Sequence, residues 1–172
     1  VTSHATVNEQ ARATAIFVAK AEGVIVGVEI ARAVMQRCGI TEFKNLKVDG
    51  ERVAPGDLIA EVSGSTRGIL LAERTALNFM THLSGVATLT AHWVEQVRGT
   101  KTLIRDTRKT TPGLRNLEKY AVRMGGGVNH RSTLAEAALV KDNHIAAAGS
   151  VSNAIRAIEE NAPTVELEVE VD

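Results

Sequence analysis

From residue 101 the sequence alternates short apolar runs with helix-like segments, and this alternation restricts the fold more than any other feature. "KTLIRD" (101–106) precedes a helical stretch from Pro112 to Met124, and "GGGVNH" (125–130) precedes a short helix after Thr133. "ALVKDN" (138–143) precedes a helix from Ser150 to Asn161, and "VELEVEVD" (165–172) closes the series. Strands alternating with helices build parallel sheets, because a parallel pair needs a crossover and a helix supplies it. Local signals agree. Thr111 is placed as an N-cap with Pro112 at the first helical position, Gly125 as the residue just past a helix end, and Thr133 with Glu136 as a capping box. A closed α/β barrel takes about 250 residues. Four strands leave it open, so the 172 residues read as a fragment cut at both ends.

Upstream the pattern differs. "ARATAIFVAK" (11–20) and "GVIVGVE" (23–29) read as strands joined by a turn at 21–23, and "EIARAVMQRCG" reads as a helix stopping at Gly39. Asp49-Gly50 and Pro55-Gly56 mark turns between short strands. From Gly68 to Arg98 the spacing is helical, with Leu70, Leu77, Met80 and Leu83 on one buried face and a break allowed at Ser84-Gly85. The expected division is an α/β sandwich domain over 1–70, then a helical linker and the first part of an α/β barrel over 71–172.

Charge is distributed unevenly although the chain is neutral overall. Residues 101–144 hold nine Lys/Arg against four Asp/Glu, whereas 145–172 hold one against six. In parallel α/β folds reactive groups sit at the carboxyl ends of strands. Thr107, Arg108 and Lys109 follow "LIRD", His130 and Arg131 follow "GGGVN", and Lys141, Asp142, Asn143 and His144 follow "ALV". Three such ends in succession point to a cavity for an anionic ligand, with Arg offering a planar fork and Lys a point charge. In "VELEVEVD", Glu166, Glu168, Glu170 and Asp172 share one face and Val165, Leu167, Val169 and Val171 the other. If helices cover the apolar face, the carboxylates point inward, where they need cations or a metal-bound substrate. Asp142-Asn143-His144 fits either a catalytic or a capping role. Gly125-Gly126-Gly127 reads as a flexible turn and matches no phosphate-loop fingerprint.

One cysteine, Cys38, excludes an internal disulfide framework and suits a reducing, cytoplasmic setting. No apolar run approaches the ~20 residues of a membrane helix. There is no zinc-ligand spacing and no recognisable Ser or Cys nucleophile.

Together, "AERTALNFMTHLSGVAT", "IRDTRKTTPGLRNLEKYAVRMGGGVNHR", "LVKDNHI" and "EVEVD" resemble the quinolinate phosphoribosyltransferase family, across 72–172, with a looser match before them. The resemblance implies an N-terminal α/β sandwich and a barrel of the type II phosphoribosyltransferase kind. It implies transfer of phosphoribose from phosphoribosyl pyrophosphate to quinolinate with decarboxylation, giving nicotinate mononucleotide, pyrophosphate and CO₂ for NAD synthesis. It implies Mg²⁺ bound with phosphoribosyl pyrophosphate and no metal held by protein ligands alone. By the same resemblance Arg108, His130, Arg131 and Lys141 hold the quinolinate carboxylates, Lys109 reaches phosphates, and Glu170 meets the ribose or the metal-bound substrate; Thr107 stands beside them as a substrate-binding candidate, its hydroxyl a donor at the anion seat before the Pro112 helix. Lys109, Lys141 and Glu170 are the implied catalytic groups, and Arg74 is implied to enter a partner subunit's site in a homodimer. The family continues beyond Asp172, so the 172-residue piece is expected to be inactive alone. Two other readings stand beside this one. One is a related barrel protein of molybdate transport. The other is a non-enzymatic anion-binding or nucleic-acid-binding module, which the lack of aromatic stacking partners disfavours.

Overall fold

The computed structural model describes residues 1–170; Val171 and Asp172, placed above on the last strand, lie outside the described residues. The chain divides into two compact units. The first comprises Val1–Asp106 with Thr111–Val128, and the second Thr107–Thr110 with the segment from Asn129 onward.

The first unit contains α1 (Thr2–Thr6), β1 (Arg12–Val18), β2 (Gly23–Val24), α2 (Val28–Arg37), β3 (Glu42–Asn45), β4 (Arg52–Val53), β5 (Leu58–Ser65), α3 (Thr66–Gln96) and α4 (Arg115–Met124). β1, β5 and β3 form an antiparallel sheet in that order, with Arg12 opposite Ser65 and Glu42 opposite Ser63. Alternation along β5 buries Ala60 and Val62 against Met35, Ile40 and Ile69. The hydrophobic effect on this one sheet face and the two helix stripes supplies the core.

β2 is shorter than the strand expected over "GVIVGVE" (23–29): it spans Gly23–Val24, and α2 already begins at Val28. Gly27 turns the chain at φ 98° and Asp49 Oδ1 accepts from the N–H groups of Gly27 and Val28, both at 2.9 Å. An anionic cap at a helix N-terminus is favoured by the unpaired N–H groups and the dipole there. The other oxygen of Asp49 accepts from Tyr120 Oη at 3.0 Å, tying this turn to α4.

α3 runs through Ser84-Gly85 without the expected break. Ile69, Ala72, Ala76, Met80, Leu83, Ala87 and Thr90 form its buried stripe, at spacings of three and four. Leu70, expected on that stripe, is 43% exposed. Ser84 and Thr88 do not end the helix because their hydroxyls are used sideways. They accept from the backbone N–H groups of Val26 and Val24, each at 2.9 Å.

Residues 101–106 and 125–130 do not become full strands. They meet in one parallel bridge between Arg105 and Val128, with Val128 N–H donating to Ile104 O at 2.9 Å and Asp106 N–H to Val128 O at 3.2 Å. α4 starts at Arg115 rather than at Pro112, with Leu114 as its N-cap. Gly113 sits at φ 81°, outside helical dihedrals, and the Thr111 N–H is taken by Glu118 Oε2 at 3.1 Å. At the other end Gly125 is the C-cap with φ −79°, and Gly126 adopts the left-handed turn. The glycines here serve close packing rather than flexibility: a Cβ on Gly125 would lie 2.3 Å from Ala87 O.

The second unit holds β6 (Ala137–Val140), α5 (Asp142–Ala148), α6 (Val151–Asn161) and β7 (Glu166–Val169). β6 and β7 pair in parallel, with Ala137 opposite Glu166 and Leu139 opposite Glu168. The short helix expected directly after Thr133 is not formed between it and β6. Glu136 instead accepts from Ser132 N–H at 2.8 Å and from Thr133 Oγ1 at 3.0 Å, closing a turn. α6 begins where Ser150 Oγ accepts from Asn153 N–H.

Candidate active site

The second unit carries Thr107, Arg108, Lys109, His130, Arg131, Lys141, Glu168 and Glu170. Arg74 lies in the first unit, exposed on α3. The β6–β7 register decides which side chains share a face. Partners in a parallel ladder project the same way, so Ala137, Leu139, Glu166 and Glu168 lie on one face and Ala138, Val140, Leu167 and Val169 on the other. Glu170 continues the ladder, its N–H donating to Val140 O at 2.8 Å. The alternation read from "VELEVEV" is thus realised over the described part of the strand.

Two carboxylates on the acidic face meet basic side chains of other segments. Glu168 Oε2 lies 2.8 Å from His130 Nε2, with side chains 31% and 13% exposed. Glu170 pairs with the Lys141 ammonium. Arg131 Nη1 donates to Ala137 O at 2.6 Å, which fixes one edge of its guanidinium against the start of β6. A guanidinium has five N–H donors and an ammonium three, so these bonds leave Arg131 and Lys141 with further donors for a ligand.

In the 107–110 segment Thr107 Oγ1 accepts from Lys109 N–H at 3.1 Å and Thr110 N–H donates to Arg108 O at 3.0 Å. The hydroxyl of Thr107 therefore shapes this turn. Arg108 is half-buried and Lys109 exposed. The Asp142-Asn143-His144 run caps α5. His144 Nδ1 accepts from Lys141 N–H at 3.0 Å and Asp142 Oδ1 from Asn143 N–H at 2.8 Å. Cations, a histidine and two carboxylates in one unit can seat an anionic ligand while presenting negative charge to a developing cation.

Several functional supports escaped sequence reasoning. Glu168 was recognisable only as one of four acidic residues on a strand face. Lys119 and Asp106 form an ion pair at 2.5 Å with side chains 3% and 8% exposed. Asp106 immediately precedes Thr107 and its backbone bonds Val128, just before the segment of His130. Glu118 bonds His82 Nε2 at 2.8 Å as well as Thr111. Burial alone would raise the Glu118 carboxyl, but the hydrogen bonds from Thr111 and His82 outweigh it and hold it below the ordinary value.

Family comparisons agree with this layout. The model for the quinolinate phosphoribosyl transferase C-terminal domain matches residues 86–172, and that for the N-terminal domain matches 1–84. A nicotinate-nucleotide pyrophosphorylase [carboxylating] of Mycobacterium leprae is 50% identical over 175 residues, covering 100% of this chain and 62% of the relative. A probable nicotinate-nucleotide pyrophosphorylase [carboxylating] of Synechocystis is 44% identical, covering 90% of this chain and 52% of the relative. Among solved structures, NadC from Streptococcus pyogenes superposes with TM-score 0.92 at 45% identity, covering 99% of this chain and 61% of that one. The chain therefore spans 62% or less of these relatives' length. With an N-terminal α/β domain, the first βα units of a barrel domain and both family signatures in order, the chain belongs to the quinolinate phosphoribosyl transferase family.

Proposed function

We propose that the protein carrying this chain transfers phosphoribose from phosphoribosyl pyrophosphate to quinolinate and decarboxylates the product, yielding nicotinate mononucleotide, pyrophosphate and CO₂. The observation that carries this reading is the gathering of Arg108, Lys109, His130, Arg131 and Lys141 in one compact unit of a quinolinate phosphoribosyl transferase family member. Arg108, His130, Arg131 and Lys141 bind the two quinolinate carboxylates, and Thr107 and Lys109 reach phosphate oxygens. Glu170 faces the ribose, where its charge favours the oxocarbenium-like state formed as the pyrophosphate leaves. Loss of CO₂ puts negative charge on a ring carbon, and the same cations stabilise it. No covalent nucleophile is needed.

The donor set bears on magnesium. The ion takes hard oxygen ligands and keeps much of its water. Among the described residues no group of three or more His, Cys, Asp or Glu could hold a metal. Glu168 and Glu170 are engaged with His130 and Lys141. This arrangement suits an ion that arrives on the pyrophosphate rather than one caged by the protein. When bound, Mg²⁺ neutralises charge on the departing pyrophosphate. We further propose that Arg74 serves a partner subunit's site in a homodimer, that the sandwich and barrel parts divide near residue 70, and that the protein works in the cytoplasm. No helix among the described residues is long and apolar enough to cross a membrane.

The test is calorimetric titration, with quinolinate, of the purified full-length protein that carries this chain, comparing wild type and Arg131→Ala. Loss of one charge-assisted contact should weaken binding by at least about tenfold. A folded variant with unchanged affinity removes Arg131 from the site.

A further inference from the structure

We propose that His144 is a positioning residue that fixes Lys141 in the ligand site through an uncharged bond. The inference rests on the function proposed above. Lys141 lies where β6 ends and α5 begins, with extended dihedrals of φ −126° and ψ 171°. A lysine ammonium sits at the end of a flexible four-carbon stem, so the backbone at 141 sets where that stem starts. Both peptide groups flanking this Cα are bonded to one residue. The Lys141 N–H donates to His144 Nδ1 at 3.0 Å, and Lys141 O accepts from His144 N–H at 2.8 Å. Ile145 N–H adds a second bond to the same oxygen at 2.9 Å. From that root the Lys141 ammonium pairs with Glu170, whose own N–H donates to Val140 O. His144 thus holds the base of the lysine whose head meets Glu170.

The residue type matters because of charge. A side chain three positions past an N-cap that reaches back to the cap's N–H belongs to a capping box, and Glu or Gln normally supplies it. A glutamate at 144 would put a carboxylate beside Lys141, where it competes with Glu170 for the ammonium and repels an anionic ligand. An imidazole that accepts at Nδ1 carries its hydrogen on Nε2 and adds no charge. The adjacent acid does not take this place, because Asp142 Oδ1 accepts from Asn143 N–H at 2.8 Å. His144 and Arg131 line one cavity of about 560 Å³, whose walls include Val140, Ala154 and Ile158. A negative charge at 144 would therefore act on a ligand held by that arginine. The ring is exposed, so its bond to Lys141 contributes modestly to the fold.

The experiment titrates quinolinate calorimetrically into the full-length protein that carries this chain, as wild type, His144→Gln, His144→Ala and His144→Glu, with a thermal melt of each. His144→Gln keeps a neutral acceptor and should bind as wild type does. His144→Ala should bind roughly 3- to 10-fold more weakly, for one lost hydrogen bond between neutral groups, and its Lys141 amide should exchange faster with solvent. His144→Glu should melt no lower than His144→Gln and bind at least about tenfold more weakly than it, for the like charge set beside the ligand. A purely structural cap predicts instead that Glu serves as well as Gln. Full affinity in folded His144→Glu or in folded His144→Ala overturns this inference and leaves the proposed function standing. So does a His144→Gln that binds no better than His144→Ala. Should His144→Ala fail to fold, the Gln and Glu variants still decide. No quinolinate binding by folded wild type overturns both.

Discussion

Replacing Lys119 by methionine should destabilise the protein far more than its size change suggests. Met keeps most of the apolar stem, so the cavity cost is small. What is lost is the ammonium 2.5 Å from Asp106, in a place where both side chains are almost wholly buried. Breaking a buried ion pair by removing one partner costs about 3–5 kcal/mol, because the remaining charge stays desolvated and uncompensated. Against a total stability of about 5–15 kcal/mol this is a large share. With a urea slope of about 2 kcal/mol/M the unfolding midpoint should drop by roughly 2 M, read by far-ultraviolet circular dichroism. The double variant Lys119→Met with Asp106→Asn also removes the buried carboxylate charge and should recover a substantial part of that loss. Recovery distinguishes electrostatics from packing. A single variant within about 1 kcal/mol of wild type, or a double variant no better than the single, would refute the reasoning. The site has a stake in this result, because Asp106 anchors the point from which Thr107, Arg108 and Lys109 depart.

Two further outcomes can be checked in the same way. Glu118 has a folded carboxyl below its ordinary 4.5, so its contribution is fully present above that pH and is lost as pH falls through the folded value. The stability gap between wild type and Glu118→Gln should therefore shrink between about pH 5.5 and pH 3, and a constant gap in thermal melts over that range would contradict the assigned bonds. Gly125→Ala should cost about 1–3 kcal/mol, since its Cβ would lie 2.3 Å from Ala87 O, whereas Gly85→Ala, at an exposed position of α3, meets nothing within 4 Å and should gain about 0.5–1 kcal/mol. Equal effects at the two glycines would show that close approach is not what selects glycine at 125.

The parts of the fold legible in the sequence are those whose signals are local. The helices at 28–37 and 151–161 announce themselves by apolar spacing and a stop or cap nearby. The β7 alternation fixes which side of the strand carries Glu168 and Glu170. The placing of cations after successive apolar runs put Arg108, His130, Arg131 and Lys141 forward as candidates before any geometry was known. Where the reading failed, a local signal met a non-local partner. Ser84-Gly85 allows a helix break, yet the Ser84 hydroxyl bonds the backbone of Val26, 58 positions away, and α3 runs on. The Thr111-Pro112 start was overridden by Gly113 and by Glu118.

Sequence alone thus determined the family, the alternation of strands and helices, and the kinds of charge available at the strand ends, because period and composition act through neighbours a few residues apart. Tertiary structure decided which charges meet. Asp106 finds Lys119 across 13 positions, Lys141 finds Glu170 across 29, and His130 finds Glu168 across 38. Such pairings depend on strand register and on which face each side chain takes, and a shift of one residue along β7 would turn every carboxylate away from its partner.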